Sequence, residues 1–128
     1  MAFSSAAGKV HFAQGNATTA QVTAGKIIAA SRGGKAIQVV GGHMTALGGN
    51  AATATSVDIK DSADVVAVAC GVSGLTSGTQ LDFTAGSNVT LTTYRKPLTV
   101  GKALKIKDTG SGLATATSVD YYVEYIYV

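Results

Sequence analysis

The sequence predicts an all-β domain, an eight-stranded antiparallel sandwich of jelly-roll type. Three observations carry that expectation. Apolar residues recur with a period of two in runs punctuated by Gly, and they never hold helical spacing across three turns without a Gly or β-branched interruption. Ala, Gly, Thr and Ser fill about half of the positions, a composition that suits short strands and tight turns and packs long helices poorly. Finally, the segment Ala-Thr-Ala-Thr-Ser-Val-Asp occurs at 52–58 and again at 114–120, close to half a chain later. It opens the fourth and eighth expected strands, as the two interleaved four-stranded halves of a jelly roll would have it.

Strands are expected over 9–13, 20–30, 36–40, 53–60, 65–71, 80–84 continuing past Gly86 through 89–93, 98–107 and 115–128. The last has the clearest pattern. Val119, Tyr121, Val123, Tyr125 and Tyr127 fall on one face, while Asp120, Tyr122 and Glu124 fall on the other, so one face is core and the other wet. In 98–107, Leu104 and Ile106 oppose Ala103, Lys105 and Lys107, a half-buried strand whose lysines discourage misregistered pairing. The stretch 65–70 is apolar on both faces and reads as a central strand. Connectors are expected at Gly33-Gly34, Gly41-Gly42, Gly48-Gly49-Asn50, 71–78 and 108–112, which supply the positive φ of tight reversals. Pro97, the only proline, suits a strand start or a sheet edge.

At 128 residues one core suffices. The organisation expected is an N-terminal arm or first strand over 1–12 and a single sandwich domain over 13–128. Charged residues are 13% of the chain and the net charge is +3, with no basic run longer than Arg95-Lys96. The five tyrosines gather towards the acidic C-terminal strand and not among the cations, which argues against a nucleic-acid partner. No apolar run approaches transmembrane length, so no membrane partner is expected. The N-terminus lacks the charged start and continuous apolar stretch of a signal peptide, which implies synthesis in a cytoplasm.

The inventory for catalysis is poor: two histidines, seven acidic residues and one cysteine. His43 and Cys70 form the single conceivable thiol pair, yet Cys70 lies in an apolar run where Cys commonly serves as a small buried hydrophobe. Gly71-Val-Ser73-Gly74-Leu75 starts like a nucleophile elbow but has Leu where the closing Gly belongs. Asp58, Asp61 and Asp64 are spaced three apart and could converge on calcium, but without EF-hand spacing an Asx-type turn with solvated carboxylates is the expectation. Gly110-Ser-Gly112 precedes a strand, unlike a dinucleotide fingerprint, and Asn16 and Asn88 match glycosylation acceptors without a secretion signal. No catalytic residue, cofactor or metal is therefore expected, and the chain reads as a non-enzyme.

Partner contacts are the remaining chemistry. Phe3 and Phe12 flank a small-residue N-terminal segment, which is either tucked into the sandwich or lent to a neighbour. Tyr122 stands on the polar face of the last strand, where its large area and few rotatable bonds suit an interface. Lys105 and Lys107 make the lysine-edged strand a secondary candidate.

Taken together, the Ala/Gly/Thr-rich N-terminal half, the strand Leu98-Thr-Val-Gly-Lys-Ala-Leu-Lys-Ile-Lys107, the Gly-Ser-Gly turn and the closing Ser118-Val-Asp-Tyr-Tyr-Val-Glu-Tyr-Ile-Tyr127 resemble the small jelly-roll decoration, or cement, proteins of tailed-bacteriophage heads. The likeness is one of length, composition and strand rhythm. It implies a structural virion protein on the capsid exterior, a dimer or trimer that bridges neighbouring major capsid subunits. Two alternatives share the composition: a carbohydrate-binding module, for which Tyr94 beside Arg95 is the best platform in a chain without Trp, and a tail or fibre component of a virion.

Overall fold

The computed structural model describes residues 9–128. In chain order the elements are β1 (His11–Thr18), α1 (Thr19–Ala24), β2 (Lys26–Ala29), β3 (Ile37–Leu47), β4 (Thr53–Asp61), β5 (Val66–Gly71), a single 3₁₀ turn (Val72–Gly74), β6 (Gln80–Asp82), β7 (Val89–Leu91), β8 (Leu104–Leu113) and β9 (Ser118–Tyr127). They form a four-stranded sheet, β1-β9-β3-β6, facing a five-stranded sheet, β2-β8-β4-β5-β7. The pairings nest: β1 with β9, β2 with β8, β3 with β6 and β4 with β5, each antiparallel. The chain is thus one long hairpin rolled over on itself, with β7 added along the outer edge of β5.

The all-β antiparallel sandwich expected from the sequence is present, built from nine described strands and not eight. The difference arises in one stretch. Residues 80–93 do not make a single strand, because Phe83 is buried and its N–H bonds to Gly42 O at 3.0 Å. That anchor ends β6 in the four-stranded sheet, and the turn through Gly86 and Asn88, both at positive φ, carries the chain across to β7 in the other. With β7 in place, β5 has neighbours on both sides, as its apolar faces suggest.

Other boundaries moved for local reasons. Residues 19–24 are helical, although the expected strand began at 20: Thr18 Oγ1 accepts from Gln21 N–H, Gln21 Oε1 accepts from Thr18 N–H, and Gly25 at φ 89 ends the turn. This capping box and the fully buried Val22 outweigh the β-branched character of the segment. Gly41-Gly42 is no connector but the middle of β3. Similarly, 108–112 continues β8 through a bulge, where Gly110 at φ 112 lies against the backbone of Thr55. His11 and Phe12 belong to β1 and pair with β9.

Between the sheets, Val119, Tyr121 and Val123 of β9 and Val39 and Met44 of β3 meet Val57 and Ile59 of β4, Val68 of β5 and Leu104 and Ile106 of β8. Each such side chain removed from water contributes about 1.5–3 kcal/mol. One end of the sandwich is tied by a carboxylate. Asp61 is fully buried; its Oδ1 accepts from the N–H groups of Ala63 and Val65 at 2.9 and 3.0 Å, and its Oδ2 from Thr99 N–H at 2.9 Å. It joins the β4–β5 turn to the loop before β8. The Asp58 oxygens accept from Ser56 and Thr109 hydroxyls, and Asp64 pairs with Lys105 at 2.9 Å. Asp61 makes the expected Asx-type turn, but Asp58 and Asp61 are buried and not solvated, and Lys60 lies within ion-pair distance of both Asp58 and Asp64.

Burial alone would raise the Asp61 pKa, but the hydrogen bonds from Thr99, Val65 and Ala63 outweigh it and hold the carboxyl below its ordinary 3.8. A group depressed on folding contributes stability above its unfolded pKa and loses it as pH falls through the folded one. Thermal melts should therefore fall off below about pH 4, and Asp61→Asn, costing about 1–3 kcal/mol at neutral pH, should flatten that acid slope. An unchanged slope in the variant would remove Asp61 from the acid sensitivity.

Candidate functional site

The outward residues of β9 are Ser118, Asp120, Tyr122, Glu124 and Ile126, because the inward set is committed to the core. β1 sets Asn16 beside Asp120, Gln14 beside Tyr122 and Phe12 beside Glu124. On the other side, β3 sets Thr45 beside Asp120 and His43 beside Tyr122, and β6 adds Gln80 and Asp82. The outer face of the four-stranded sheet is thus a platform of short polar side chains with three rings across its centre. Phe12 stacks on Tyr122 with centroids 5.7 Å apart, and Tyr122 stacks on His43 at 5.1 Å. Both faces of the middle ring are covered, and Phe12, at the edge of the row, is 58% exposed.

The row exists because of Gly41 and Gly42. A Cβ on Gly41 would meet Glu124 Oε1, and one on Gly42, at φ 144, would meet the backbone oxygen of Tyr122. Without side chains there, the Glu124 carboxylate lies over β3 and accepts from the Tyr122 hydroxyl at 3.2 Å. Loss of hydration, together with this bond and the carboxylate charge, raises the Tyr122 pKa above its usual 10, so the phenol stays protonated and donates. Nearby, Asn16 Nδ2 donates to Asp120 Oδ1 at 2.8 Å and to Ser118 Oγ at 2.9 Å, and Gln80 Nε2 donates to Asp82 Oδ1 at 2.8 Å. Gln14, Asn16, His43, Asp120 and Tyr122 line a shallow open depression beside the rings.

Of the residues expected to bind a partner, the structure brings Phe12 and Tyr122 together, and Phe3 lies outside the described residues. Lys105 and Lys107 stand on the other sheet and are engaged internally: Lys105 with Asp64, and Lys107 Nζ donating to Thr23 O at 2.5 Å. Tyr94 is half-buried with its hydroxyl donating to Val40 O at 3.1 Å, which leaves a poor sugar platform. His43 completes the row and was missed as a partner of Tyr122, because reading Gly41-Gly42 as a turn hid the alternation in which Met44 and Ala46 point inward. His43 and Cys70 do not meet. Cys70 is buried within the five-stranded sheet, and burial, with the nearby Asp58 charge, pushes its thiol up to about 12.

No protein-family model matches the chain, and neither the curated proteins nor the solved structures contain a match to it.

Because Gly42 combines positive φ with backbone contact, Gly42→Ala should cost about 2 kcal/mol or more in denaturant melts. Gly41→Ala displaces only the end of a flexible side chain and should cost less, while moving the Tyr122 phenol pKa back towards 10 in a spectrophotometric titration. Equal destabilisation by both would contradict the distinction between backbone and side-chain contact.

Proposed function

We propose that this chain is a structural, non-enzymatic jelly-roll domain that decorates the outside of a phage head, docking by the outer face of its four-stranded sheet and bridging neighbouring major capsid subunits as a dimer or trimer. The observation that carries the docking reading is the Phe12–Tyr122–His43 row on an otherwise small and polar sheet. An aromatic ring left more than half in water is unfavourable alone and favourable once covered, at roughly 25 cal/mol per Å² buried. Phe, Tyr and His have two rotatable side-chain bonds each, and the stack already orders them, so little entropy is lost when a partner closes over them. The nested strand order supports the jelly-roll reading. A rigid domain seated across two subunits adds interface that must break before they separate.

A second reading, carbohydrate binding, draws on the depression where Asn16, Asp120 and Gln14 offer amide and carboxylate groups beside Tyr122. Sugars stack on exposed ring faces, and here both faces of Tyr122 are occupied. The protein-docking reading is therefore preferred.

Co-sedimentation with expanded, undecorated heads should saturate at a fixed stoichiometry. Phe12→Ala and Tyr122→Ala should each weaken attachment by about tenfold or more while melting close to the parent. Absent or non-saturating binding, or attachment indifferent to both variants, overturns the proposal. A glycan-array ligand abolished by the same variants would establish the second reading.

A further inference from the structure

More than half of the cationic side chains gather at one end of the sandwich. The loop 30–36 between β2 and β3 and the loop 92–103 between β7 and β8 lie side by side. Gly101 N–H donates to Lys35 O at 2.7 Å, Leu98 N–H to Ile37 O at 2.8 Å and Arg95 N–H to Val39 O at 2.9 Å. Ala36 and Val128 exchange both backbone hydrogen bonds at 2.9 Å, which brings the end of β9 to the same place. Lys9 and Val10 lead in beside them, because the His11 ring packs on Tyr125 and Tyr127. Six of the ten cationic side chains are therefore at this end: Lys9, Arg32, Lys35, Arg95, Lys96 and Lys102. All six are exposed, and none forms an ion pair among the described residues.

The side-chain carboxylates lie elsewhere or are engaged. Asp61 is buried under backbone amides and Asp64 is paired with Lys105. Asp82, Asp120 and Glu124 belong to the outer face of the four-stranded sheet. Uncompensated cations on one end of a molecule raise its local potential and attract an opposite surface. Apolar side chains stand among them: Val100 is 61% exposed, Val10 43% and Val128 38%. The tyrosines here are not available as base-stacking platforms. Tyr127 is buried, with its hydroxyl donating to Ala30 O at 2.6 Å and the Arg32 guanidinium 3.9 Å over its ring, and the Tyr94 hydroxyl donates to Val40 O.

We infer that this end of the sandwich is a docking surface for an acidic protein surface with apolar residues among its carboxylates. Cations would steer and orient that partner, and the valines would bury against it. Nucleic acid fits less well, since sequence-tolerant binding of single strands uses exposed rings between the cations. The inference goes beyond the sheet-face reading and stands independently of it.

Fluorescence anisotropy of the full chain with a labelled peptide of Glu interspersed with Leu tests it, alongside a single-stranded DNA oligonucleotide of equal charge. The peptide should bind at low salt and weaken with added salt. Joint replacement Arg32→Ser, Lys35→Ser, Lys96→Ser and Lys102→Ser should weaken it by about tenfold or more, Val100→Ser should weaken it several-fold, and Phe12→Ala should leave it unchanged. Absent peptide binding, or binding indifferent to the charge variant, overturns the inference. Tighter binding of the oligonucleotide than of the peptide also overturns it and assigns the surface to nucleic acid. Since Phe12→Ala probes the sheet face alone, failure of one reading is distinguishable from failure of the other.

Discussion

β9 is hydrogen-bonded along both edges, to β1 and to β3, and its side chains alternate strictly between core and solvent. That double ladder is the constraint on which the rest depends. A slip of one residue against either neighbour would turn Asp120 and Glu124 into the core and Val119, Val123 and the inward tyrosines into water. Two buried carboxylates without partners would cost far more than the few kcal/mol by which a domain of this size is stable. Register is therefore fixed, and with it the identity of the residues that share the outer face.

The aromatic row follows from that register plus two glycines. Tyr122 can lie between Phe12 and His43 because β1 and β3 flank β9, and Glu124 can reach over β3 because Gly41 leaves room. The same positions that specify the fold thus lay out the candidate site. On the opposite sheet the outward charges are bound internally: Lys60 lies between Asp58 and Asp64, and Lys105 pairs with Asp64. The two sheet faces therefore differ in kind, one crossed by lysine–aspartate pairs and one by a row of stacked rings.

What the sequence disclosed was what is local. The alternation in 118–127 identified β9 and placed Tyr122 outward, and the small-residue composition pointed to strands over helices. The Thr18/Gln21 capping signature was also legible, though the strand-like residues around it concealed α1. Long-range effects were not legible. Gly41-Gly42 looks like a reversal and is a mid-strand close approach, a distinction made by Glu124 and Tyr122 some eighty residues away. Lys105 and Lys107 were correctly placed on a wet face, but Asp64 and the carbonyl of Thr23 engage them only once the chain is rolled up. Cations scattered from Lys9 to Lys102 form no run in sequence, yet the loops bring them to one end.

The sandwich carries two surfaces of different chemistry, an aromatic sheet face and a basic, valine-studded end. Docking on a capsid shell, as proposed, would cover the sheet face. Hydroxyl-radical footprinting of the protein free and bound to expanded heads tests it most directly, because Phe12, Tyr122 and His43 all report by oxidation. These three should lose reactivity together on binding while Tyr94 changes little. Undiminished oxidation of Phe12 and Tyr122 in the bound state would contradict it.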